Sequence, residues 1–248
     1  MLLPKLPALH TWEVEAREER IAEEEFAQSQ VTMQNLKIKE QNEAAGAKGE
    51  LSIRLPEGVT GDQIAVSNDY VTQTIRVEIP QADRTYFDSY PVLGNSDYID
   101  GLSYTRQGET GVIEVTTNKV YELQTEYDTQ NFYFNFLTPH EVYDKVVVID
   151  AGHGGRAVGA NKQGINEKDI DLAIVLKLKE IFDNSDQNIG VYYTRTDDSN
   201  PTFDQRVQLA NKSDADLFIS IHNNSTRSGR MSGTSGTQVM YDETSEAS

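Results

Sequence analysis

The spacing of apolar positions along the chain changes twice. Residues 11–45 are polar and rich in glutamate, as in "EVEAREERIAEEEFAQSQ", where Ala22 with Phe26 and Val14 with Ile21 offer only a thin apolar stripe. Residues 1–48 therefore read as a polar, solvated helix or linker ending at "AAGAKG". From Glu50 to about Tyr143 the period becomes two. "TIRVEI" sets Ile75, Val77 and Ile79 against Arg76 and Glu78, and "NFYFNF" alternates at Phe132, Phe134 and Phe136. "GVIEVTT" and "KVYELQTEY" behave alike, with turn signals such as "LGNSD" and "RQGETG" between strands. Residues 49–140 thus predict an all-β, sandwich-like domain.

After "TPHEVYD" the pattern changes again. "KVVVID" is the continuous β-branched run of a strand buried on both faces. A glycine-rich loop follows, then "NEKDIDLAIVLKLKEIFDNSD", in which Ile170, Ala173, Ile174, Leu178, Ile181 and Phe182 recur at helical spacing. "IGVYYTR" reads as a second strand, "TFDQRVQLANKS" as a second helix, "DLFISIH" as a third strand and "SGTQVMYDE" as a fourth. Strands alternating with helices predict an α/β domain over residues 144–248, with a mostly parallel sheet and flanking helices.

Composition narrows the chemistry. The 40 acidic residues outnumber the 22 basic ones, for a net charge of −18, and no Lys/Arg cluster offers a nucleic acid its phosphate contacts. With no cysteine in the chain, thiolate sites and disulfides are excluded, so any metal must be held by His, Asp or Glu. No apolar run reaches the roughly 18 residues of a membrane span. The opening "MLLPKLPALHTWE" lacks the basic n-region and apolar core of a signal peptide, so export is expected to lie outside this sequence or the chain to be a fragment.

Against that background two strands end in histidine. Val146–Asp150 leads into His153, and Leu217–Ile221 ends at His222. In an open α/β sheet ligands gather at the carboxyl ends of the strands. Asn166 is a candidate N-cap, which puts Glu167 in the first turn of the long helix, where the helix dipole favours an ionised carboxylate. Connection rules bring that turn to the same sheet edge. Two imidazoles and one carboxylate are the protein ligands of a catalytic zinc site with an open fourth position. Around them, Gly154 and Gly155 let the loop turn, and Asp150 either orients an imidazole or caps the loop. Asn223 and Asn224 are candidate contacts for substrate carbonyls, whereas Arg195 and Arg206 read as structural. His10 and His140 read as surface residues, and Tyr86, Tyr90, Tyr98 and Tyr104 as packing more than sugar-stacking groups.

These segments also resemble a known family. "VVVIDAGHGG", a glutamate opening a long helix, and "DLFISIHNN" resemble the zinc-dependent N-acetylmuramoyl-L-alanine amidases that cleave bacterial peptidoglycan. "YYTRTDD" with "FDQRVQLANKSDADLFISIHNN" is similar to the family's intervening sequence and "SGTQVMYDE" to its next strand, so the resemblance spans about residues 145–242. It implies Zn²⁺ held by His153, Glu167 and His222, peptidoglycan as the partner, hydrolysis of the amide between N-acetylmuramic acid and L-alanine, and an extracytoplasmic place in the cell envelope. Residues 50–140 resemble the β-rich wall-targeting module called AMIN. The family also carries a general-base glutamate near the end of its catalytic domain. Glu243 and Glu246, in a polar tail, do not match it, so that residue is expected beyond Ser248. On this expectation the catalytic domain is incomplete, and the chain binds zinc but hydrolyses poorly. A non-catalytic wall-binding protein and a zinc-dependent peptidoglycan deacetylase remain as alternatives.

Overall fold

The computed structural model describes residues 34–35, 39–40, 49–224, 233 and 236–241. Its first part is built from β1 (Gln34–Asn35), β2 (Lys39–Glu40), β3 (Leu51–Arg54), β4 (Ala65–Asp69) and β5 (Thr74–Pro80). A short helix α1 (Arg84–Ser89) precedes β6 (Leu93–Gly94), β7 (Ile99–Gln107), β8 (Thr110–Thr117), β9 (Glu122–Tyr127) and β10 (Asn131–Leu137). These strands form two five-stranded sheets, ordered β1-β7-β8-β5-β4 and β2-β6-β3-β10-β9. The alternation in β5 turns Ile75, Val77 and Ile79 inward, where they meet Leu51 and Ile53 of β3, Ile113 and Val115 of β8, and Phe132, Phe134 and Phe136 of β10 in one apolar core. Burying aliphatic and aromatic side chains of this size is worth roughly 1.5–3 kcal/mol each.

Two details depart from the sequence reading. The polar stretch expected as helix or linker contributes strands instead: β1 pairs antiparallel with β7, and β2 pairs parallel with β6. A helix there would have almost no apolar face to bury, whereas each of these strands meets the unpaired backbone groups of a sheet edge. The remainder of residues 1–48, including His10, lies outside the described residues. Helix α1 interrupts the β pattern because Asp83 caps it, accepting a bond from the Tyr86 amide at 2.8 Å. Of the four tyrosines considered for sugar contact, three are spoken for. Tyr104 packs on Phe87, Tyr98 stacks on Phe136, and the Tyr86 hydroxyl donates to the Arg54 carbonyl. Tyr90 is partly exposed under the Arg54 guanidinium.

The second part begins after α2 (Pro139–Val142) with β11 (Lys145–Ala151). A two-stranded ribbon, β12 (Asn161–Lys162) and β13 (Ile165–Asn166), leads into α3 (Glu167–Asp183), followed by β14 (Ile189–Tyr193), α4 (Phe203–Lys212) and β15 (Leu217–Ile221). The sheet order is β14-β11-β15, parallel throughout. Central β11 is buried on both faces, which is why its sequence is a continuous apolar run. Val146 and Val148 face Leu209 of α4 and Tyr192, while Ile149 and Ala151 face Val175 of α3.

Helix α3 forms where its spacing predicts, but it packs on a rotated face. Asp171, Val175, Leu178 and Phe182 turn inward, and Ile170, Ile174 and Ile181 are exposed. The apolar arc is broader than the sheet face available to it. The predicted fourth strand is not formed among the described residues, where Val239, Met240 and Tyr241 are exposed.

The two parts touch. Tyr70 and Val71, from the turn after β4, and Val120 pack against Val146, Val148 and Tyr192. The Glu122 carboxylate accepts from Tyr70 Oη at 2.8 Å and Tyr192 Oη at 2.6 Å. Burial, then these contacts with Glu122, raise both phenols well above their ordinary pKa, so both remain donors. Among the described residues no helix is long and apolar enough to cross a membrane.

Candidate metal centre

Register places the two histidines. Ala151 of β11 lies opposite Ile221 of β15, and the Gly152 amide donates to the Ile221 carbonyl at 3.0 Å. The next residues of each strand therefore leave the sheet side by side, bringing the His153 and His222 rings to a centroid separation of 4.8 Å, edge to face. His153 adopts a left-handed backbone conformation, with φ of 60°. That conformation is uncommon for a non-glycine residue, though histidine is among those enriched there. Here the loop is held by cations: Arg206 Nη2 donates to the His153 carbonyl at 2.8 Å, and Arg195 Nη2 to the Gly152 carbonyl at 2.8 Å.

Glu167 opens α3 between the two rings. Its Oε2 lies 3.3 Å from His153 Nε2, and its Oε1 lies 3.2 Å from His222 Nδ1. The backbone amides of Ala160 and Asn223 donate to Oε2 and Oε1 at 2.7 and 2.8 Å, which fixes the plane of the carboxylate. Burial opposes its charge, but the bonds to His153, His222, Ala160 and Asn223 outweigh it and hold the carboxyl far below the usual carboxylate range. His222 is shifted the other way: its bond to Glu167 raises its pKa above the ordinary imidazole value, against the effect of burial. The three residues singled out in the sequence are thus brought together. Asn166 occupies the N-cap position without capping by its side chain; the first two amides of α3 instead reach the carbonyls of Ala160 and Val158.

Several neighbours take roles the sequence left open or missed. Asp150 does not orient an imidazole. It is 3% exposed and accepts from Thr194 Oγ1, Ser220 Oγ and Arg206 Nη1, each at 2.6 Å, tying the three strand ends to α4. Burial disfavours its charge, yet the Arg206 guanidinium and the two hydroxyls hold its carboxyl below the usual range. Asn223 takes a positioning part, its Nδ2 donating to Asp171 Oδ1 at 2.6 Å. Asn224 faces Gln238, 3.3 Å away. Lys168 grips the glycine loop, donating to the Gly155 carbonyl at 2.8 Å and to both carboxylate oxygens of Asp198. His140 sits at the surface against the Asp214 carbonyl.

Asp171 was not among the residues picked from the sequence. It is fully buried one helical turn after Glu167, and its carboxyl is pushed up to about 6 by burial and by the charge of Glu167, against the Asn223 bond. His153, Glu167, Asp171 and His222 each offer one ligand atom, all within 4.8 Å of one another. Beside this cluster runs a cleft of about 250 Å³ whose walls include Asn200, Phe203, Val207 and Phe218. Glu243 and Glu246 lie outside the described residues.

The same segment carries the likeness to known proteins. The family profile Amidase_3, described as N-acetylmuramoyl-L-alanine amidase, matches residues 147–248. The endolysin of Bacillus phage SPP1 is 45% identical over 86 residues, which is 35% of this chain and 31% of that protein. N-acetylmuramoyl-L-alanine amidase CwlM of Bacillus licheniformis is 41% identical over 78 residues, covering 32% and 31% of the two chains. AmiC of Escherichia coli O6:H1 is 40% identical over 91 residues, covering 36% and 22%. This chain therefore spans about a third or less of the length of these curated relatives. Among solved structures, the catalytic domain of CwlV from Bacillus (Paenibacillus) polymyxa var. colistinus is 41% identical, with coverage of 34% and 47% and a TM-score of 0.32. The N-acetylmuramoyl-L-alanine amidase from Clostridium difficile 630 is 37% identical, with coverage of 36% and 48% and a TM-score of 0.34.

Proposed function

We propose that this chain belongs to a peptidoglycan hydrolase cleaving the amide between N-acetylmuramic acid and L-alanine, with Zn²⁺ held by His153, Glu167 and His222. The observation that carries this reading is the convergence of both strand-end imidazoles on one ionised carboxylate. The donor set fits zinc. Neighbouring ligands on one zinc ion, each about 2.0–2.2 Å from it, stand about 3.3 Å apart; His153 Nε2 is 3.3 Å from Oε2 and His222 Nδ1 is 3.2 Å from Oε1 of Glu167, and one ligand atom from each of these residues lies within 4.8 Å of the others. Zinc bound there supplies Lewis acidity, polarising a carbonyl and making water nucleophilic near neutral pH. The chain's own residues do the holding. Glu167 stays ionised, the Ala160 and Asn223 amides keep its two oxygens aimed, and Arg195, Arg206 and Lys168 fix the backbone that carries His153. Phe203, Val207 and Phe218, exposed to solvent, give the cleft an apolar wall.

In this reading residues 144–248 form the catalytic domain, residues 49–140 an AMIN-like module that holds the enzyme to the wall, and residues 1–48 a leading segment. The site of action is the extracytoplasmic cell wall. Incubating the zinc-loaded chain with purified peptidoglycan tests it. Stoichiometric zinc uptake is expected, with at most slow zinc-dependent appearance of free L-alanine amines on stem peptides, because no general-base glutamate is matched among these residues. Release of acetate instead points to a deacetylase, and wall binding with neither bound zinc nor product to a non-catalytic adhesin; either outcome overturns the amidase reading.

Two further results follow from the geometry. Zinc requires neutral His222, whose pKa lies above 6.5 because of Glu167. Proton competition therefore begins above pH 6.5, and zinc affinity falls by up to about tenfold per pH unit below the His222 pKa. Isothermal titration between pH 8 and 5.5 measures this, and proton release on binding should rise as pH falls, passing one half at that pKa and approaching one proton below it. The second concerns Gly152. A Cβ at that position would overlap the His222 ring, with Nδ1 and Nε2 only 2.6 Å away. Gly152→Ala is expected to keep the fold and weaken zinc binding about 10- to 100-fold, the range seen when the surroundings of a ligand are disturbed. Competition against a chromophoric chelator, with circular dichroism as the fold control, reads both effects.

A further inference from the structure

The cluster holds a fourth side chain, its second acidic one, that three ligands do not explain. Asp171 is 0% exposed, more deeply set than Glu167 one turn before it on α3. Its Oδ1 accepts from Asn223 Nδ2 at 2.6 Å, while its buried Oδ2 has no hydrogen-bond partner. It also lies within the same group of ligand-capable atoms as His153, Glu167 and His222. A buried carboxylate with an unpartnered oxygen, set beside a second buried carboxylate, destabilises a fold. Packing does not call for an acid here, since its neighbour along the same inward face is the apolar Val175. An apolar or neutral residue would serve the metal-free protein better.

We propose that Asp171 is a positioning residue of the metal centre, whose charge is balanced only when a divalent cation sits among His153, Glu167 and His222. Its bond to the Asn223 side chain also steadies the residue whose backbone amide holds Glu167 Oε1. Partners behind the ligands of a metal site set ligand orientation and metal affinity in this way. The inference rests on the zinc reading and extends it to a residue outside the ligand set.

The sign of the effect separates this role from a structural one. In Asp171→Asn the metal-free protein is expected to melt at a higher temperature than the wild type, because a buried charge is gone. Zinc affinity is expected to fall about 10- to 100-fold, read by chelator competition at pH 7.5 with no need for turnover. Asp169→Asn removes an exposed first-turn carboxylate that accepts from Asn166 Nδ2; it is expected to leave zinc affinity unchanged and, by weakening the start of the helix, to lower melting slightly where Asp171→Asn raises it. If the wild-type chain takes up no stoichiometric zinc, the metal reading itself fails. If the wild type binds zinc and Asp171→Asn binds it equally well, or melts lower when metal-free, only the role of Asp171 is overturned. Should the variant not fold, the wild type still answers. Its Asp171 carboxyl ¹³C resonance is expected to move on addition of one equivalent of zinc while that of Asp169 stays, and an unmoved Asp171 signal overturns the proposal.

Discussion

Glu167→Gln is expected to abolish tight zinc binding by a folded chain, and with it any zinc-dependent hydrolysis. The substitution keeps the shape of the side chain, so the effect comes from charge and hydrogen-bond polarity. In the wild type both carboxylate oxygens are acceptors: Oε2 takes the Ala160 amide and faces His153, and Oε1 takes the Asn223 amide and faces His222. A glutamine must place its NH₂ on one side or the other. Either orientation sets a donor against a backbone N–H inside a buried site, which costs about 1–3 kcal/mol for the unsatisfied group alone. It also leaves two imidazoles with no anion between them. Zinc affinity should fall by more than about 100-fold, beyond the range for losing an outer partner. Zinc retained after dialysis, measured by atomic absorption, decides the matter. One equivalent kept by Glu167→Gln removes Glu167 from the ligand set.

This site was legible in the sequence to the extent that it depends on strand ends. "VVVID" and "LFISI" are both apolar runs that terminate in polar, histidine-bearing loops, and parallel pairing of neighbouring strands is enough to bring such loops together. Glu167 was legible because a helix start after a strand has one place to go. The residues that hold the ligands were not. Asp150, Thr194, Arg206 and Ser220 are far apart in the chain, and what joins them is side-chain hydrogen bonding across three strand ends and a helix. Spacing rules carry no such information. Asp171 is hidden for a related reason: of the apolar positions at helical spacing, Leu178 and Phe182 do pack inward, but Ile170, Ile174 and Ile181 are exposed, and the first turns of the inward face carry Asp171 and Val175 instead. Period-two patterning placed the β core at Ile75, Val77, Ile79 and Phe134 well, because alternation alone decides which side of a strand is buried. It says nothing of edges, where β1 and β2 come from a stretch with no β pattern at all.

Arg206→Ala is expected to give the largest loss of stability of any single change near the site. Arg206 is 6% exposed and donates to Asp150 Oδ1 and to the carbonyls of Ala151, His153 and Pro201. Truncation leaves Asp150 buried with only two hydroxyl donors and frees the loop that holds His153 in its left-handed conformation. Removing one member of a buried ion pair costs about 3–5 kcal/mol, which for a chain of this size lowers the melting temperature by about 10 °C. Arg206→Lys should recover little, since one ammonium cannot replace the planar fork that reaches several acceptors at once. The pH dependence gives the cause away. In the wild type the folded-state pKa of Asp150 is lowered, so its contribution to stability is present above the unfolded value of about 3.9 and is lost as pH falls through the lower folded value. Without Arg206 only the Ser220 and Thr194 hydroxyls oppose burial and the folded pKa rises, so acid costs the variant less stability than it costs the wild type. The gap between wild type and Arg206→Ala should therefore be widest at pH 7 and narrow toward pH 4. The double variant Asp150→Asn/Arg206→Leu, which removes both charges, should be more stable at pH 7 than Arg206→Ala. A gap that does not change with pH would mean that the guanidinium acts by filling space and holding carbonyls, with no part played by the charge of Asp150.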